Sequence, residues 1–219
     1  MLSYDCSDPR EREAGLTAAV DAVQRGAVVV FPADASYGVG VDAFQPAAVS
    51  NLAVVKGRGR DMPMPVLVGS WRGLDGLVLV TPRLARDLVQ AFWPGPLTLM
   101  VEYAPSLAWD LGDARGVVAV RMPLHPVALE VLAETGPMAV TSANRLGQPP
   151  ATDIEQAREH LGSDVSVYLD AGPCADSAPS TIVDMTGEVP RVLRAGAISL
   201  DQLRGVVGEV IEPVTAAPA

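Results

Sequence analysis

A chain of 219 residues, 49% of them hydrophobic, can bury the core of one large domain, which excludes a disordered protein. Its 26 acidic and 16 basic side chains give a net charge of -10, whereas a general nucleic-acid binder needs an excess of cations. The sequence has no apolar run near the roughly 20 residues that span a membrane, so we expect no membrane partner. A nucleotide held by a few basic loops fits this composition better than a nucleic acid.

The cysteines and the start of the chain predict a cytoplasmic location. Cys6 and Cys174 are isolated thiols without the CxxC spacing of redox or metal sites, which is typical of a reducing compartment. Residues 1–8 combine neither a basic region nor an apolar core, so we expect no secretory signal.

The first predicted elements are a helix and a buried strand. Asp8 is placed to cap a helix that begins at Pro9 and ends at Gly26. The apolar, β-branched run 27–31 predicts a core strand. Pro32 cannot donate a hydrogen bond to a neighbouring strand, so we expect regular pairing to stop there.

The segment after this strand is the first candidate site. Asp34, Ser36 and Tyr37 place a carboxylate, a hydroxyl and a phenol at a strand end. Gly38 and Gly40 permit a positive φ or a close approach to a ligand. Ligands collect at the carboxyl ends of strands in open α/β sheets, so a loop here predicts a binding site. A turn that only links strand and helix is the alternative.

A basic patch follows the next predicted helix, 46–56. Lys56, Arg58 and Arg60 are three cations within five residues, separated by glycines. Arginine offers a planar fork, and lysine a point charge, to phosphate or carboxylate groups. The patch therefore predicts capture of an anion, and a solvated basic loop is the alternative.

The rest of the chain alternates strands and helices without an internal repeat or linker, which favours one domain. Strands are predicted at 66–68, 97–102, 117–121, 138–140, 165–170 and 189–194, with 77–80 as a further strand or its approach. Helices are predicted at 81–92, between 123 and 134, at 153–161 and at 199–209, before a frayed tail.

The loop 141–150 is a second donor-rich segment, and its chemistry narrows the reaction class. Thr141, Ser142, Asn144 and Arg145 either hold a ligand or cap local turns. The sequence has no GxxxxGK[ST], GxGxxG, HExxH or GxSxG motif. Its two histidines lie at a predicted helix start and in a predicted helix, which argues against a Ser-His-Asp triad. Loops of this composition suit phosphoryl or nucleotidyl transfer, in which the protein positions substrates and neutralises phosphates.

Seven blocks carry a resemblance to a known family. They are FPADASYG at 31–38, KGR at 56–58, PGPLT at 94–98, RMP at 121–123, TSAN at 141–144, STIVD at 180–184 and RAG at 194–196. In this order the chain resembles the YrdC-like threonylcarbamoyl-AMP synthase family, in its short, single-domain form. The resemblance implies a catalytic domain over 8–209, and the Pro/Ala/Thr composition of 210–219 predicts a disordered tail. It also implies an α/β fold with a twisted, mixed parallel and antiparallel sheet, flanking helices and a concave, positively lined cavity.

The resemblance further implies a reaction. L-threonine, bicarbonate or carbon dioxide, and ATP give threonylcarbamoyl-AMP and pyrophosphate, with Mg²⁺ as the implied cofactor and its ligands unknown. The product would pass to a tRNA threonylcarbamoyl-transferase complex, and weak contact with tRNA or double-stranded RNA is a further expectation.

Site residues are implied where the blocks match the family. The residues expected to bind ATP, of which the first two are also expected to be catalytic, are Lys56, Arg58, Ser142, Asn144 and Arg194. The residues expected to bind threonine, of which the first pairs with its carboxylate, are Arg121, Ser180, Tyr37 and Thr141.

Departures from the family pattern keep an alternative open. Ala33 and Ala35 stand where threonines are usual. Gly59 replaces a common proline, and Leu146 replaces a serine. A YrdC-like protein that binds nucleotide or double-stranded RNA without synthase activity is therefore the second hypothesis. A generic double-stranded RNA module is disfavoured by the net charge of -10.

The loop 172–179 is predicted to be a mobile lid. It has no large apolar side chain to anchor it, and it leads into Ser180, the expected threonine contact. Closing such a lid would keep water from the labile carbamate and the mixed anhydride formed from it. A plain surface loop between two strands is the alternative.

Overall fold

The computed structural model describes residues 1–175 and 178–208. Asp176 and Ser177 of the predicted lid, Glu209 and the predicted tail 210–219 lie outside the described residues. The strands are β1 (Leu2–Asp5), β2 (Val29–Pro32), β3 (Tyr37–Asp42), β4 (Val66–Leu67), β5 (Leu97–Glu102), β6 (Val117–Arg121), β7 (Met138–Ser142), β8 (Val167–Asp170), β9 (Thr181–Asp184) and β10 (Arg191–Arg194). The helices are α1 (Pro9–Gln24), α2 (Pro46–Lys56), α3 (Arg72–Leu77), α4 (Arg83–Phe92), α5 (Pro126–Thr135), α6 (Ile154–Leu161) and α7 (Leu200–Val207), with a 3-10 turn at Gly162–Asp164.

These strands form one mixed sheet. Its order is β1-β8-β2-β3-β7-β4-β6-β5-β9-β10. Four neighbouring pairs run parallel and five run antiparallel. The predicted α/β fold with a mixed sheet and flanking helices is therefore confirmed. Within the described ranges, every helix is too short or too polar to cross a membrane.

Alternating side chains build a core on each face of the sheet. In β2, Val29 and Phe31 pack in the core that contains α1 and α5, whereas Val30 packs in the core that contains α2, α4, α6 and α7. All three are fully buried. Because helices cover both faces of this strand, the run 27–31 is apolar throughout instead of alternating with polar residues.

The structure corrects the prediction for the segment after β2. β2 ends at Pro32, as predicted, but only residues 33–36 form a loop. The chain then returns as β3, which pairs antiparallel with β2 from Pro32↔Tyr37 onward. The candidate segment is therefore a tight β-hairpin, because two apolar runs separated by four residues can pair at once.

The glycines of this hairpin have a packing role. Gly38 and Gly40 lie inside β3, and neither adopts a positive φ. A Cβ atom on Gly38 would lie 2.9 Å from one methyl carbon of Val140, and one on Gly40 would lie 2.7 Å from the other. Both glycines therefore let the neighbouring strand pack closely, and Gly38 also lines the cavity described below.

We expect Gly40→Ala to destabilise the protein by about 1–3 kcal/mol, because the β-branched side chain of Val140 cannot move aside without leaving its rotamer. Gly205→Ala is the matched control: it lies in α7 with open space around the new methyl group. Alanine favours a helix, so Gly205→Ala should stabilise by about 0.5–1 kcal/mol. Urea unfolding of both variants checks this, and equal shifts would contradict the packing role.

Three short segments differ from the sequence predictions. The sequence does not predict β1, an exposed edge strand, or α3, which has six residues. The run 77–80 is not a strand, since Leu77 ends α3 and Val78 makes only an isolated bridge to Tyr103. Elements this short bury few side chains, so their sequences carry little periodicity.

Candidate active site

A cavity of about 820 Å³ lies on the face of the sheet that α1 and α5 cover only in part. These helices pack against β8 and β2, which leaves the other half of that face open. Side chains that alternate along β5, β6 and β9 line the open half: Thr98, Met100, Val117, Ala119, Arg121 and Ile182. Their neighbours Leu99 and Val120 are buried in the opposite core, so the strand alternation itself aims polar groups at the cavity.

Three arginines reach the cavity from three different elements. Arg58 lies on the loop after α2, Arg121 ends β6 and Arg194 ends β10. They supply the charged side chains among the described residues of the lining. Burial lowers the pKa of each below its usual value. For Arg121 the carboxylate of Asp34 offsets part of this effect, and the charge of Arg194 adds to it. Because these charges are poorly solvated, the cavity favours an anionic ligand.

Arg58 and Arg194 contact neutral groups. Nη1 of Arg58 lies 3.2 Å from Oγ1 of Thr141 and 3.6 Å from Sδ of Met64. Nε and Nη2 of Arg194 donate to the carbonyl oxygen of Ser180 at 3.0 and 2.8 Å. In the part of the chain that the structure describes, neither guanidinium is paired with a carboxylate. Their charges are therefore available to a phosphate.

Arg121 is instead paired with a residue that sequence reasoning left without a role. Its Nη1 lies 2.7 Å from Oδ2 of Asp34, and its Nη2 donates to the carbonyl oxygen of Ala33 at 3.1 Å. This ion pair, the least exposed among the described residues, connects the end of β6 to the β2–β3 hairpin. The sequence predicts Asp34 as a ligand group at a strand end, but no local feature of the sequence indicates its pairing with Arg121.

A pair of hydroxyl groups joins β5 to the start of β9 beside Arg194. The Oγ atoms of Thr98 and Ser180 are 2.8 Å apart, and Nη2 of Arg194 lies 2.9 Å from Oγ of Ser180. Thr98 lines the cavity, although sequence reasoning did not select it. It belongs to the PGPLT block, so the block contained the signal.

Lys56 and Asn144 are close together but do not line the cavity. The buried Nζ of Lys56 donates to the carbonyl oxygens of Ser142, at 2.6 Å, and Asn144, and to Oδ1 of Asn144 at 3.2 Å. Nδ2 of Asn144 donates to the carbonyl oxygen of Gln148 at 2.7 Å. Burial, and then the charge of Arg58, lower the pKa of Lys56 to about 8. In this structure the two residues hold the loop after β7, and their contact with ATP stays a prediction.

The other expected site residues lie at the cavity in different ways. Thr141 and Ser142, at the end of β7, both line it. Tyr37 also lines it, but its hydroxyl donates to the carbonyl oxygen of Gly172 at 2.7 Å and accepts from the N–H of Ala171 at 3.0 Å. The phenol group therefore binds the connection after β8 and is not free for a substrate.

The predicted basic patch is divided by the structure. Arg58 reaches the cavity, whereas Arg60 turns to the loop before β6. Nη1 and Nη2 of Arg60 each lie 2.9 Å from an oxygen of Asp110, and Nε lies 3.2 Å from Asp113. The three cations therefore do not form one anion site.

The first half of the predicted lid is anchored. Besides the bond from Tyr37 to Gly172, the N–H of Cys174 donates to the carbonyl oxygen of Thr152 at 2.7 Å. The half-buried Cys174 side chain also packs against the main core. Opening and closing of 172–179 stays a prediction, and these contacts limit where its hinges can lie.

The described lining does not fit a magnesium site held by the protein. Mg²⁺ in nucleotide sites is bound by carboxylates together with substrate phosphates. The charged groups that line the described cavity are arginines, and the described residues contain no group of three His, Cys, Asp or Glu side chains suited to a metal.

The fold belongs to a class of proteins that has solved members. The crystal structure of P. abyssi Sua5 complexed with L-threonine matches with a TM-score of 0.87 at 29% identity. The match covers 96% of this chain but 62% of that chain, so this chain spans less than two thirds of the solved protein.

The sequence comparison gives the family. The Sua5/YciO/YrdC family model, described as "Telomere recombination", matches residues 21–196, and this chain belongs to that family. A Mycobacterium tuberculosis protein, named provisionally as a threonylcarbamoyl-AMP synthase, is 57% identical over 206 residues, which cover 94% of this chain and 95% of that protein. The threonylcarbamoyl-AMP synthase of Bacillus subtilis is 35% identical over 185 residues, 84% of this chain and 54% of that protein. The predicted family resemblance is confirmed.

Proposed function

We propose that this chain is an L-threonylcarbamoyladenylate synthase, a nucleotidyltransferase that makes threonylcarbamoyl-AMP and pyrophosphate from L-threonine, bicarbonate and ATP. The observation that carries the proposal is the convergence of Arg58, Arg121 and Arg194 on one cavity. Bicarbonate and ATP are anions and threonine has a carboxylate, so such a cavity suits all three. The names of the relatives, and the Sua5 structure with L-threonine, support the same reaction.

The reaction requires positioning and charge compensation rather than a covalent enzyme intermediate. Bicarbonate takes up a proton and loses water to give carbon dioxide. The neutral threonine nitrogen attacks the carbon of carbon dioxide and releases a proton, which gives a carbamate. A carbamate oxygen attacks the α-phosphorus of ATP, and the O–P bond forms as the bond to pyrophosphate breaks. Nucleophile and electrophile are both anionic, so the arginines offset their repulsion in the transition state.

The cavity divides between the two substrates. We assign ATP to Arg58, Ser142 and Arg194, which include the two cavity arginines that have no carboxylate partner among the described residues. We assign threonine to Arg121 and Ser180, with the threonine carboxylate on the guanidinium. The catalytic role among the cavity residues belongs to Arg58, which is placed to stabilise charge on the phosphates.

Four of the residues expected to bind ATP or threonine have supporting roles in this proposal. Thr141 lies in the cavity and orients Arg58. Lys56 and Asn144 position the loop that carries Ser142. Tyr37 contributes its ring to the wall near threonine, while its hydroxyl stays bound to Gly172.

The proposal also covers the bounds of the catalytic unit, its location, the metal ion and the protein that uses the product. The catalytic unit is 8–209, in the cytoplasm, where Cys6 and Cys174 stay reduced. Mg²⁺ would accompany the phosphates of ATP, since the described lining offers no carboxylate. The product is a labile adenylate, so we expect a separate tRNA threonylcarbamoyl-transferase complex to consume it.

Two alanines favour a second candidate function. Ala33 and Ala35 line the cavity and offer no hydroxyl to an amino acid. A relative that binds nucleotide or double-stranded RNA without synthase activity would keep the arginines, but threonine would not stimulate the release of pyrophosphate.

Pyrophosphate release separates these two functions. The purified chain, with ATP, Mg²⁺ and bicarbonate, should release pyrophosphate with L-threonine and not with D-threonine or without bicarbonate. Release that ignores the amino acid, or no release with bound ATP, would favour the second candidate.

The divided basic patch gives this assay a matched pair of variants. Arg58→Ala should lower kcat/KM for ATP by about tenfold to a hundredfold, since a charge-assisted bond to phosphate is lost. Arg60→Ala removes the same charge two residues away, but its partners lie outside the cavity, so activity should persist. Equal losses would show that the patch acts as a whole.

A further inference from the structure

Asp34 has a backbone conformation that demands an explanation. Its φ is 73°, in the left-handed region that residues other than glycine rarely adopt. It lies in the four-residue turn between β2 and β3, directly beside the cavity-lining Ala33 and Ala35. Surrounding contacts must hold a residue in such a conformation.

The contacts are made by the carboxylate of Asp34. One oxygen accepts from the N–H groups of Leu124 and His125 at 3.0 and 2.8 Å. The other lies 2.7 Å from Nη1 of Arg121. The side chains of Arg121 and Asp34 are only 15% and 18% exposed, so this is a charge-assisted bond largely shielded from water.

The hairpin also fixes a second donor of Arg121. Nη2 donates to the carbonyl oxygen of Ala33, so two of the five guanidinium N–H groups are bound to consecutive residues of one turn. A guanidinium with two fixed donors cannot rotate about its own axis. Arg121 lines the cavity, so its remaining N–H groups are the donors left for a ligand there.

From this geometry we propose that Asp34 is the positioning residue for Arg121: it fixes the guanidinium in the orientation that receives the substrate carboxylate, and so sets threonine affinity without touching threonine. The inference rests on the proposed function, which puts threonine at Arg121. It adds a role for a residue outside the cavity lining.

Direct contact between Asp34 and threonine is disfavoured by the same contacts. Both carboxylate oxygens already accept from Arg121, Leu124 and His125, which leaves poor access for the threonine ammonium group. A carboxylate exposed in the cavity would also repel the threonine carboxylate, whereas one behind Arg121 compensates the buried cation.

Asp34→Asn tests the proposal, because asparagine has the same shape and tolerates a positive φ while losing the charge. The KM for threonine should rise by about tenfold to a hundredfold, and the KM for ATP should change by less than about twofold. Asp42→Asn is the matched control: Asp42 ends β3, the strand that follows the turn with Asp34. It accepts from the N–H of Phe44 and from Nε2 of Gln45, and it does not line the cavity. This control should leave both KM values unchanged.

A double variant separates positioning from an independent role. If Asp34 acts through Arg121, Asp34→Asn should add less than about twofold to the threonine KM in an Arg121→Lys background. Additive effects, an unchanged threonine KM, or loss of ATP and threonine use together would each overturn the proposal. If wild type shows no threonine-dependent release, the proposed function fails and this inference falls with it. Wild-type release with an unchanged KM in Asp34→Asn overturns the Asp34 role alone.

Discussion

Replacing Arg121 with alanine is expected to raise the KM for threonine by roughly 30-fold to a few thousandfold, the equivalent of about 2–5 kcal/mol. The threonine carboxylate would then enter a shielded part of the cavity without its bidentate partner. The Asp34 carboxylate, now without its cation, would repel it further. The KM for ATP should change little, because Arg58 and Arg194 remain and carry the phosphates.

Initial rates of pyrophosphate release, with threonine and ATP varied in turn, measure both constants. Arg12→Ala is the control, since Arg12 is also paired with a carboxylate, that of Glu130, but on the surface between α1 and α5. It should match wild type. If Arg121→Ala raises both KM values equally, the division of the cavity into an ATP side and a threonine side is wrong.

Arg121 also shows what the sequence could and could not predict about the site. Its position at the end of an apolar strand, and its RMP block, are local features, and they predicted a cavity residue. Its pairing with Asp34 spans 87 positions of sequence and depends on the order of strands in the sheet. Nothing local in either segment contains that information.

The sequence predicts a ligand-binding loop where the structure has the β2–β3 hairpin, and the reason is again a contact with a distant segment. Asp34 and Tyr37 look like ligand groups when the segment is treated as a loop, and glycine at 38 and 40 strengthens that impression. Only Val140, on the neighbouring strand β7, reveals that the glycines make room for packing. The alternation within β3 is hidden because both of its faces are buried.

Thr98 and Lys56 are two further residues whose surroundings in the fold could not be predicted from the local sequence. Thr98 lies in the PGPLT block, but the sequence does not predict that its side chain faces the cavity. That orientation follows only from the position of Leu99 in the core on the opposite face of β5. The resemblance implies that Lys56 binds the phosphates of ATP, and that contact stays a prediction. In this structure its side chain lies on the buried face of α2 and reaches the loop after β7.

Lys56→Met is expected to lower kcat/KM for ATP about a hundredfold, because a loop displaced by about 1 Å suffices for such a loss. Three acceptors on Ser142 and Asn144 lose their donor, so the loop that presents Ser142 loses its anchor. Arg72→Met, which removes an exposed cation stacked on Trp71, is the control and should retain activity. Full activity of Lys56→Met would show that the loop holds its position without this lysine.

The pKa of Lys56 provides a test that does not depend on activity. Lys56 is the only lysine in the chain, so labelling lysine with ¹³C at Cε gives one resonance, which should titrate near pH 8. The folded pKa lies below the ordinary value of 10.5, so the unfolded chain holds more protons between these two pH values. The stability of wild type relative to Lys56→Met should therefore rise with pH, by about 2 kcal/mol from pH 8 to 9.5 in urea unfolding. A resonance that titrates near 10.5, with a constant stability difference, would mean that the ammonium group is as well solvated as in water and that the buried anchor does not exist.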